Sequence, residues 1–298
     1  MNRQYAGLLE RFANELTFLP DKPEETPEST LRALWYTAAG TPRSAEAARE
    51  GSLPALDAAG ETRLDALVQK RLMGVPLAHL TQRQRFVDME MLAGPGALVP
   101  RRETELLARA AIALAGEAAS RQDGVRVVDV CTGSGNVALA IAQHVPTARV
   151  FAADLSEDAV ALARCNAAHL GLQDRARFSA GDLLAPFDTA EFHGAVDVLT
   201  CNPPYISSAK VEQMHGEISQ HEPHLAFDGG PFGVAILMRL LQDAPRFLRP
   251  RGWLAFEVGL GQGPAMVKRL EKSGVFADLN PKMDHNGAVR AIAARFTG

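Results

Sequence analysis

Apolar positions recur along this 298-residue chain at two different spacings. Over the first 75 residues the spacing is helical. Tyr5, Leu8, Leu9, Phe12 and Leu16 predict a helix over about 3–18. Leu31, Leu34, Trp35 and Ala38 predict a second, which Ser29 can cap and Gly40 would stop. Leu64, Leu67, Val68, Leu72 and Met73 mark a further helix, ended by Gly74 and Pro76. Ala45 to Ala59 is weakly patterned. Leu19 to Pro27 is too rich in proline and charge for regular structure and is expected to be an exposed connector with solvated acids. From Arg85 to Leu92 the spacing changes to alternation, with Phe86, Asp88 and Glu90 on one side and Val87, Met89 and Met91 on the other. With Gly94-Pro95-Gly96 behind it, this reads as a short hairpin-like linker.

Ala97 to Arg101 is extended, and Glu103 opens a helix to about Glu117, its acids suiting the positive end of the helix dipole. From Arg126 onward strands and helices alternate. Strands are expected at 127–130, 148–153, 175–180, 195–201 and 253–258, with helices at 136–144, 156–170, 232–248 and 262–273. Two late strands, about 275–280 and 288–295, follow. Such alternation calls for an α/β fold with a doubly wound, mostly parallel sheet covered on both faces. The expected organisation is a helical N-terminal domain over 1–75, a hairpin linker over 76–97 and an α/β domain over 98–298.

Composition narrows the function classes. At 47% hydrophobic and 22% charged, the chain can bury a sizeable core. A net charge of −4 and a pI near 6.1 leave no general electrostatic footprint for nucleic acid. Cys131, Cys165 and Cys201 lack CxxC spacing, so neither a disulfide framework nor a metal site is expected. The first residues have no signal-peptide core, and no stretch suits a membrane span. A soluble, cytoplasmic monomer is expected. His79 and His215 show no partner spacing and receive no role.

Candidate chemistry gathers where the strands end, because ligands of open α/β sheets bind outside the carboxyl ends of the strands. Cys131-Thr132-Gly133-Ser134-Gly135 joins the first strand of the alternating region to its helix, and the glycines permit a tight turn and close approach to a ligand. It lacks the third glycine of the dinucleotide fingerprint and the Gly-Lys-Ser/Thr of a P-loop. Asp154 ends the next strand, where an acid can accept from ribose hydroxyls, and Leu155 follows it. Asp182 and Leu183 end the third, placed to accept from an adenine amino group and to wall the base, although for Asp182 alone a helix cap or surface charge is the better reading. The fourth strand closes on Asn202-Pro203-Pro204-Tyr205. Two prolines fix two φ angles and remove two donors. What remains is an amide, free carbonyls and an aromatic ring, a set that can hold an NH2 group. Alone, the tetrapeptide would also suit an ordinary turn.

Together these strand ends follow the order of a class I methyltransferase that uses S-adenosyl-L-methionine (AdoMet). Four segments make the resemblance specific: Leu98 to Leu107 (LVPRRETELL), Val128 to Gly135 (VDVCTGSG), Asn202 to Ile206 (NPPYI) and His221 to Gly230 (HEPHLAFDGG). In this order they resemble the HemK (PrmC) family, over about residue 61 to the C-terminus. That resemblance implies a Rossmann-like catalytic domain preceded by a helical domain and a hairpin linker. It implies AdoMet as cofactor and methylation of the side-chain amide nitrogen of the glutamine in the Gly-Gly-Gln motif of class I peptide chain release factors. Arg101 and Thr104 would then lie near the cofactor, and a role in starting the helix suits each equally well. The chain departs from the family at Arg102, where a second proline is usual, and at Phe232, where an acid usually follows Asp-Gly-Gly. The first 60 residues do not match the usual N-terminal helices.

The implied chemistry is modest. Asn202 Oδ1 and the Pro203 carbonyl would accept both N–H bonds of the target amide while Tyr205 packs on its plane, so the chain's task is orientation. Glu222 and His221 either shape the acceptor side or anchor their loop. Three alternatives stay open: a ribosomal-protein glutamine as target, an adenine amine in nucleic acid, and an AdoMet-binding interaction module without catalysis.

Overall fold

The computed structural model describes residues 3–211 and 221–298; His215 lies outside the described residues. Four helices open the chain: α1 (Arg3–Glu15), α2 (Pro27–Ala38), α3 (Ala58–Leu72) and α4 (Leu77–Thr81). They pack around their own apolar cluster, including Phe12, Leu31, Leu34, Trp35, Leu64 and Val68. The cap of α2 is Thr26, not Ser29: Thr26 accepts from the Ser29 amide, and the Ser29 hydroxyl accepts from the Thr26 amide. Pro27, pre-set for the first helical position, places the start there.

The connector before α2 is not solvated. Lys22, Glu24 and Glu25 are buried. Glu25 pairs with the fully buried Arg71 of α3 at 3.0 Å, and Glu24 accepts from Gln84 at 3.0 Å. Buried charge is tolerated here because it is paired.

Within the stretch read as a hairpin-like linker, the turn falls inside the alternating run 85–92. Arg83 to Leu92 forms β1 (Arg83–Phe86) and β2 (Met89–Leu92), an antiparallel hairpin in which Phe86 faces Met89. The turn is Val87-Asp88, with Val87 at φ 55°, a conformation that β-branched residues rarely adopt. Glu105 holds it there by accepting from the Val87 amide at 2.9 Å. Glu105 opens α5 (Glu105–Ala119), so that acid fastens the hairpin as well as suiting the helix dipole.

The remaining strands form one seven-stranded sheet with helices between them, besides a short helix at Ser208–Val211. In chain order they are β3 (Val125–Val130), α6 (Asn136–His144), β4 (Ala148–Asp154), α7 (Glu157–His169), β5 (Ala176–Ala180), β6 (Val196–Cys201), α8 (Ala235–Phe247), β7 (Leu248–Glu257), α9 (Gly263–Ser273), β8 (Phe276–Met283) and β9 (Val289–Phe296). The strand order is β5-β4-β3-β6-β7-β9-β8, and the first five are parallel. β9 enters antiparallel between β7 and β8, so β8 at the edge runs in the direction of the first five. Successive residues alternate between two cores. Val127, Val150 and Val198 pack with α5, α6 and α7, whereas Val128, Leu199 and Leu254 pack with α8 and α9. Winding leaves β3 toward β4 on one side and β6 lies on the other, so the topological switch point falls between β3 and β6. The glycine turn and the Asn-Pro-Pro-Tyr segment flank it. Among the described residues, no helix is long and apolar enough to cross a membrane.

Candidate active site

Two cavities open at the strand ends. The first is lined by Cys131, Thr132, Gly133 and Ser134 after β3, Asp154 and Leu155 after β4, Asp182 and Leu183 after β5, and Asn202 and Pro204 after β6. Arg101 and Thr104 reach it from the turn before α5. Gly135 is not on this wall. It caps α6 at φ 82°, and a Cβ there would come within 3.0 Å of Phe178 and 3.2 Å of Ala163. Gly133, at φ 55°, faces open space. Cys131 (φ 56°) and Leu183 (φ 48°) also hold left-handed backbone, strain that clusters at functional sites.

The acids of this cavity are braced. Asp154 accepts from the Gly133 amide at 2.8 Å and from the Ser156 amide at 2.9 Å, so one carboxylate ties the glycine turn to the start of α7. Burial raises its pKa, and these amides oppose the shift. Asp182 pairs with Arg239 through one oxygen at 2.6 Å. Asp129, at the end of β3, also lines the cavity and was not singled out by the sequence. Burial pushes its carboxyl up to about 6, against hydrogen bonds from the Thr132 and Thr200 hydroxyls at 2.6 Å each. Among the described residues, two buried donors here have no protein partner: Arg101 Nη1 and Ser134 Oγ.

The second cavity is lined by Asp21, Glu103, Pro203, Tyr205, Gln262 and Arg290, with Phe232 and Leu260 exposed at its rim. Leu98, Arg101, Thr104, Asn202 and Ala226 line both cavities, so Asn202 stands where the two meet. Its Nδ2 donates to Thr104 Oγ1 at 3.2 Å, which leaves Oδ1 as the free acceptor of the amide. Tyr205 is held at both ends. Its hydroxyl donates to Glu103 at 3.2 Å, Arg290 donates to the same oxygen at 2.9 Å, and its carbonyl accepts from Gln262 at 3.0 Å. Burial raises the Tyr205 pKa far above its ordinary value, with Glu257 and Glu103 adding to the shift.

Loop 221–230 closes the site from above. Glu222 is buried, accepting from Arg101 at 2.6 Å and from the Val99 amide at 2.9 Å, while Arg101 also pairs with Asp21 at 3.2 Å. Glu222 therefore anchors the loop. The loop in turn grips the tetrapeptide: Ile206 N donates to Phe227 O, and Gly229 N to Ile206 O. A Cβ at Gly229 would lie 2.5 Å from Pro204 O, and at Gly233 2.2 Å from Tyr205 O, so both approaches need glycine.

Reasoning from sequence missed Glu103, Arg290 and Glu257 as well as Asp129. Asp129 and Glu257 share one legible signal, an acid inside or closing a buried apolar run within its strand.

A sheet of this order, with a glycine turn and acids at successive strand ends around the switch point, defines a class I methyltransferase fold. The family described as "Methyltransferase domain" matches residues 121–272. The human methyltransferase 10 domain containing protein shares the fold at TM-score 0.50 and 18% identity, over 68% of this chain and 86% of its own. The hMettl16 catalytic domain does so at TM-score 0.54 and 13% identity, over 78% and 82%. Curated relatives narrow this further. The release factor glutamine methyltransferase of Moorella thermoacetica is 35% identical over 90% of both chains. That of Gloeobacter violaceus is 36% identical over 82% of both, and that of Mycolicibacterium smegmatis 37% over 76% of this chain and 77% of its own. The chain belongs to the release factor glutamine methyltransferase family.

Proposed function

We propose that this chain binds AdoMet in the first cavity and methylates the side-chain amide nitrogen of a protein glutamine, in the Gly-Gly-Gln motif of a peptide chain release factor, held in the second. The meeting of the two cavities at Asn202 carries this reading. The first cavity suits the cofactor by its donor set. Asp129, Asp154 and Asp182 can accept from an ammonium, ribose hydroxyls and an amino group, and Leu155 and Leu183 can flank a flat base. The unpartnered Arg101 Nη1 and Ser134 Oγ can donate to a carboxylate. The open space beside Gly133 leaves room that a side chain would fill.

When bound, AdoMet supplies an electrophilic methyl on a sulfonium. An amide nitrogen is a poor nucleophile because its lone pair is delocalised, so the chain's contribution is orientation. Asn202 Oδ1 and the Pro203 carbonyl accept the two N–H bonds of the target amide, and the Tyr205 ring walls its plane. No base is needed before transfer, since the proton leaves the nitrogen afterwards. Helices α1–α4 form the receiving side for the protein substrate. Asp21 supports this, since it brings their connector to the wall of the second cavity.

Asp154→Ala should weaken AdoMet binding by about 1.5–3 kcal/mol, the range for hydrogen bonds to a charged group. Calorimetry on the folded variant reads this directly, and unchanged affinity would remove Asp154 from the cofactor site. Mass spectrometry of release factor incubated with enzyme and AdoMet should find one added methyl on the Gly-Gly-Gln glutamine. Methyl on another protein would redirect the specificity and spare the mechanism. Methyl in nucleic acid alone would overturn the acceptor class.

A further inference from the structure

Behind the wall of the second cavity sits a titratable group that the mechanism above does not use. Glu257 is the last residue of β7, paired in register with Ala291 of β9. It is 1% exposed, and among the described residues neither carboxylate oxygen takes a hydrogen bond of ordinary geometry. Buried unpaired carboxylates are rare and need a cause. The surroundings of Glu257 are specific: the Thr104 and Tyr205 hydroxyls face it closely enough to stabilise it in part. Those are the two hydroxyls tied to the acceptor grip. Thr104 Oγ1 takes the Asn202 amide hydrogen, and Tyr205 is part of the grip itself. The charged groups facing Glu257 are Glu103, from the turn before α5, and Arg290, from β9. Arg290 Nη2 is already engaged by Glu103 at 2.9 Å.

A hydroxyl that accepts from Asn202 must place its own proton elsewhere, and Glu257 is the acidic group facing Thr104. We propose that Glu257 is a positioning residue for the acceptor amide: a neutral carboxyl whose carbonyl oxygen takes the Thr104 proton and whose O–H turns to the Tyr205 oxygen. In this arrangement Thr104 presents a lone pair to Asn202 Nδ2, so Asn202 Oδ1 stays turned to the substrate. Tyr205 keeps its own proton on Glu103. Burial favours this protonated form and pushes the Glu257 carboxyl up to about 7, with Glu103 adding to the shift and the Thr104 and Tyr205 hydroxyls and Arg290 opposing it. Above that pH Glu257 and Glu103 are two anions facing one guanidinium. The Tyr205 oxygen then loses its donor, and the order of the grip is lost.

The inference rests on reading Asn202 and Tyr205 as the acceptor grip, and its test separates the two. Side-chain amide NMR of Asn202 in the enzyme alone needs no substrate. The Asn202 Nδ2 resonances should titrate between pH 6 and pH 8 in the wild type and stay still in Glu257→Gln, which keeps a carbonyl and a donor but cannot ionise. With release factor as substrate, kcat should fall as pH rises through about 7 in the wild type, and Glu257→Gln should abolish that limb while keeping the low-pH rate within a few fold. Glu257→Leu should lower kcat at least tenfold with AdoMet affinity unchanged. An Asn202 titration that persists in Glu257→Gln overturns the proposal, as does a Gln variant as slow as the Leu variant. Absence of methyl on release factor would refute the substrate reading alone, since the amide titration still decides the role of Glu257.

Discussion

Asn202→Ala should lower kcat on release factor by at least about 100-fold while AdoMet affinity stays within a few fold, because misplacing a reacting group by about 1 Å can cost that factor. The asymmetry follows from position. Asn202 touches both cavities, yet the acids and the glycine turn that suit the cofactor belong to β3, β4 and β5. Its Nδ2 is committed to Thr104, so the group lost on truncation is the free Oδ1, which acts only when a target amide is present. Thr104→Val should shift kcat the same way by a smaller factor, since it frees the Asn202 amide to rotate without removing it. Equal turnover by wild type and Asn202→Ala on the true substrate would reduce the tetrapeptide to a rigid turn.

How far the fold was legible depended on the range over which each interaction acts. The parallel strands were readable because burial on both faces writes them as short apolar runs, and the groups closing those runs, Asp154 and Asn202, stand at the site. The hairpin turn was not. Alternation runs straight through Val87 and Asp88, and valine signals strand, not turn; the bond from its amide to Glu105, 18 positions away, holds it there. The buried connector escaped for the same reason on a larger scale. Glu25 and Glu24 look solvated until partners 46 and 60 positions away, Arg71 and Gln84, come to meet them. The cap of α2 was a local miss, since Pro27 marked the first helical position and pointed to Thr26. At the site, the residue types were visible and their pairings were not. Glu222 reads as a loop acid, and only the folded chain brings it 2.6 Å from Arg101 across 121 positions.

That last pair carries the second large expectation. Arg101 is one guanidinium serving three parts of the molecule: the connector through Asp21, loop 221–230 through Glu222, and the cavity wall through Nη1. Arg101→Met keeps an unbranched apolar stem and deletes the guanidinium with its charge. Glu222 is then a buried carboxylate with the Val99 amide left to it, and breaking a buried pair from one side typically costs about 3–5 kcal/mol. The chain need not unfold to escape this cost, because the loop can lift and let Glu222 reach water. The loss should therefore register as local opening. Amide exchange at Ile206 and Gly229, whose hydrogen bonds join the tetrapeptide to the loop, should speed up by roughly 100-fold or more, while the strands keep their protection. Turnover should fall with it, since the same bonds brace Asn202 to Tyr205 from above. Arg101→Met combined with Glu222→Gln should recover much of the lost protection, because a buried ion pair removed as a whole costs far less than one half of it. Unchanged exchange at both amides in Arg101→Met would show that the pair does not hold the loop, and equal exchange in the single and double variants would show that the stranded carboxylate is not the cause of its opening.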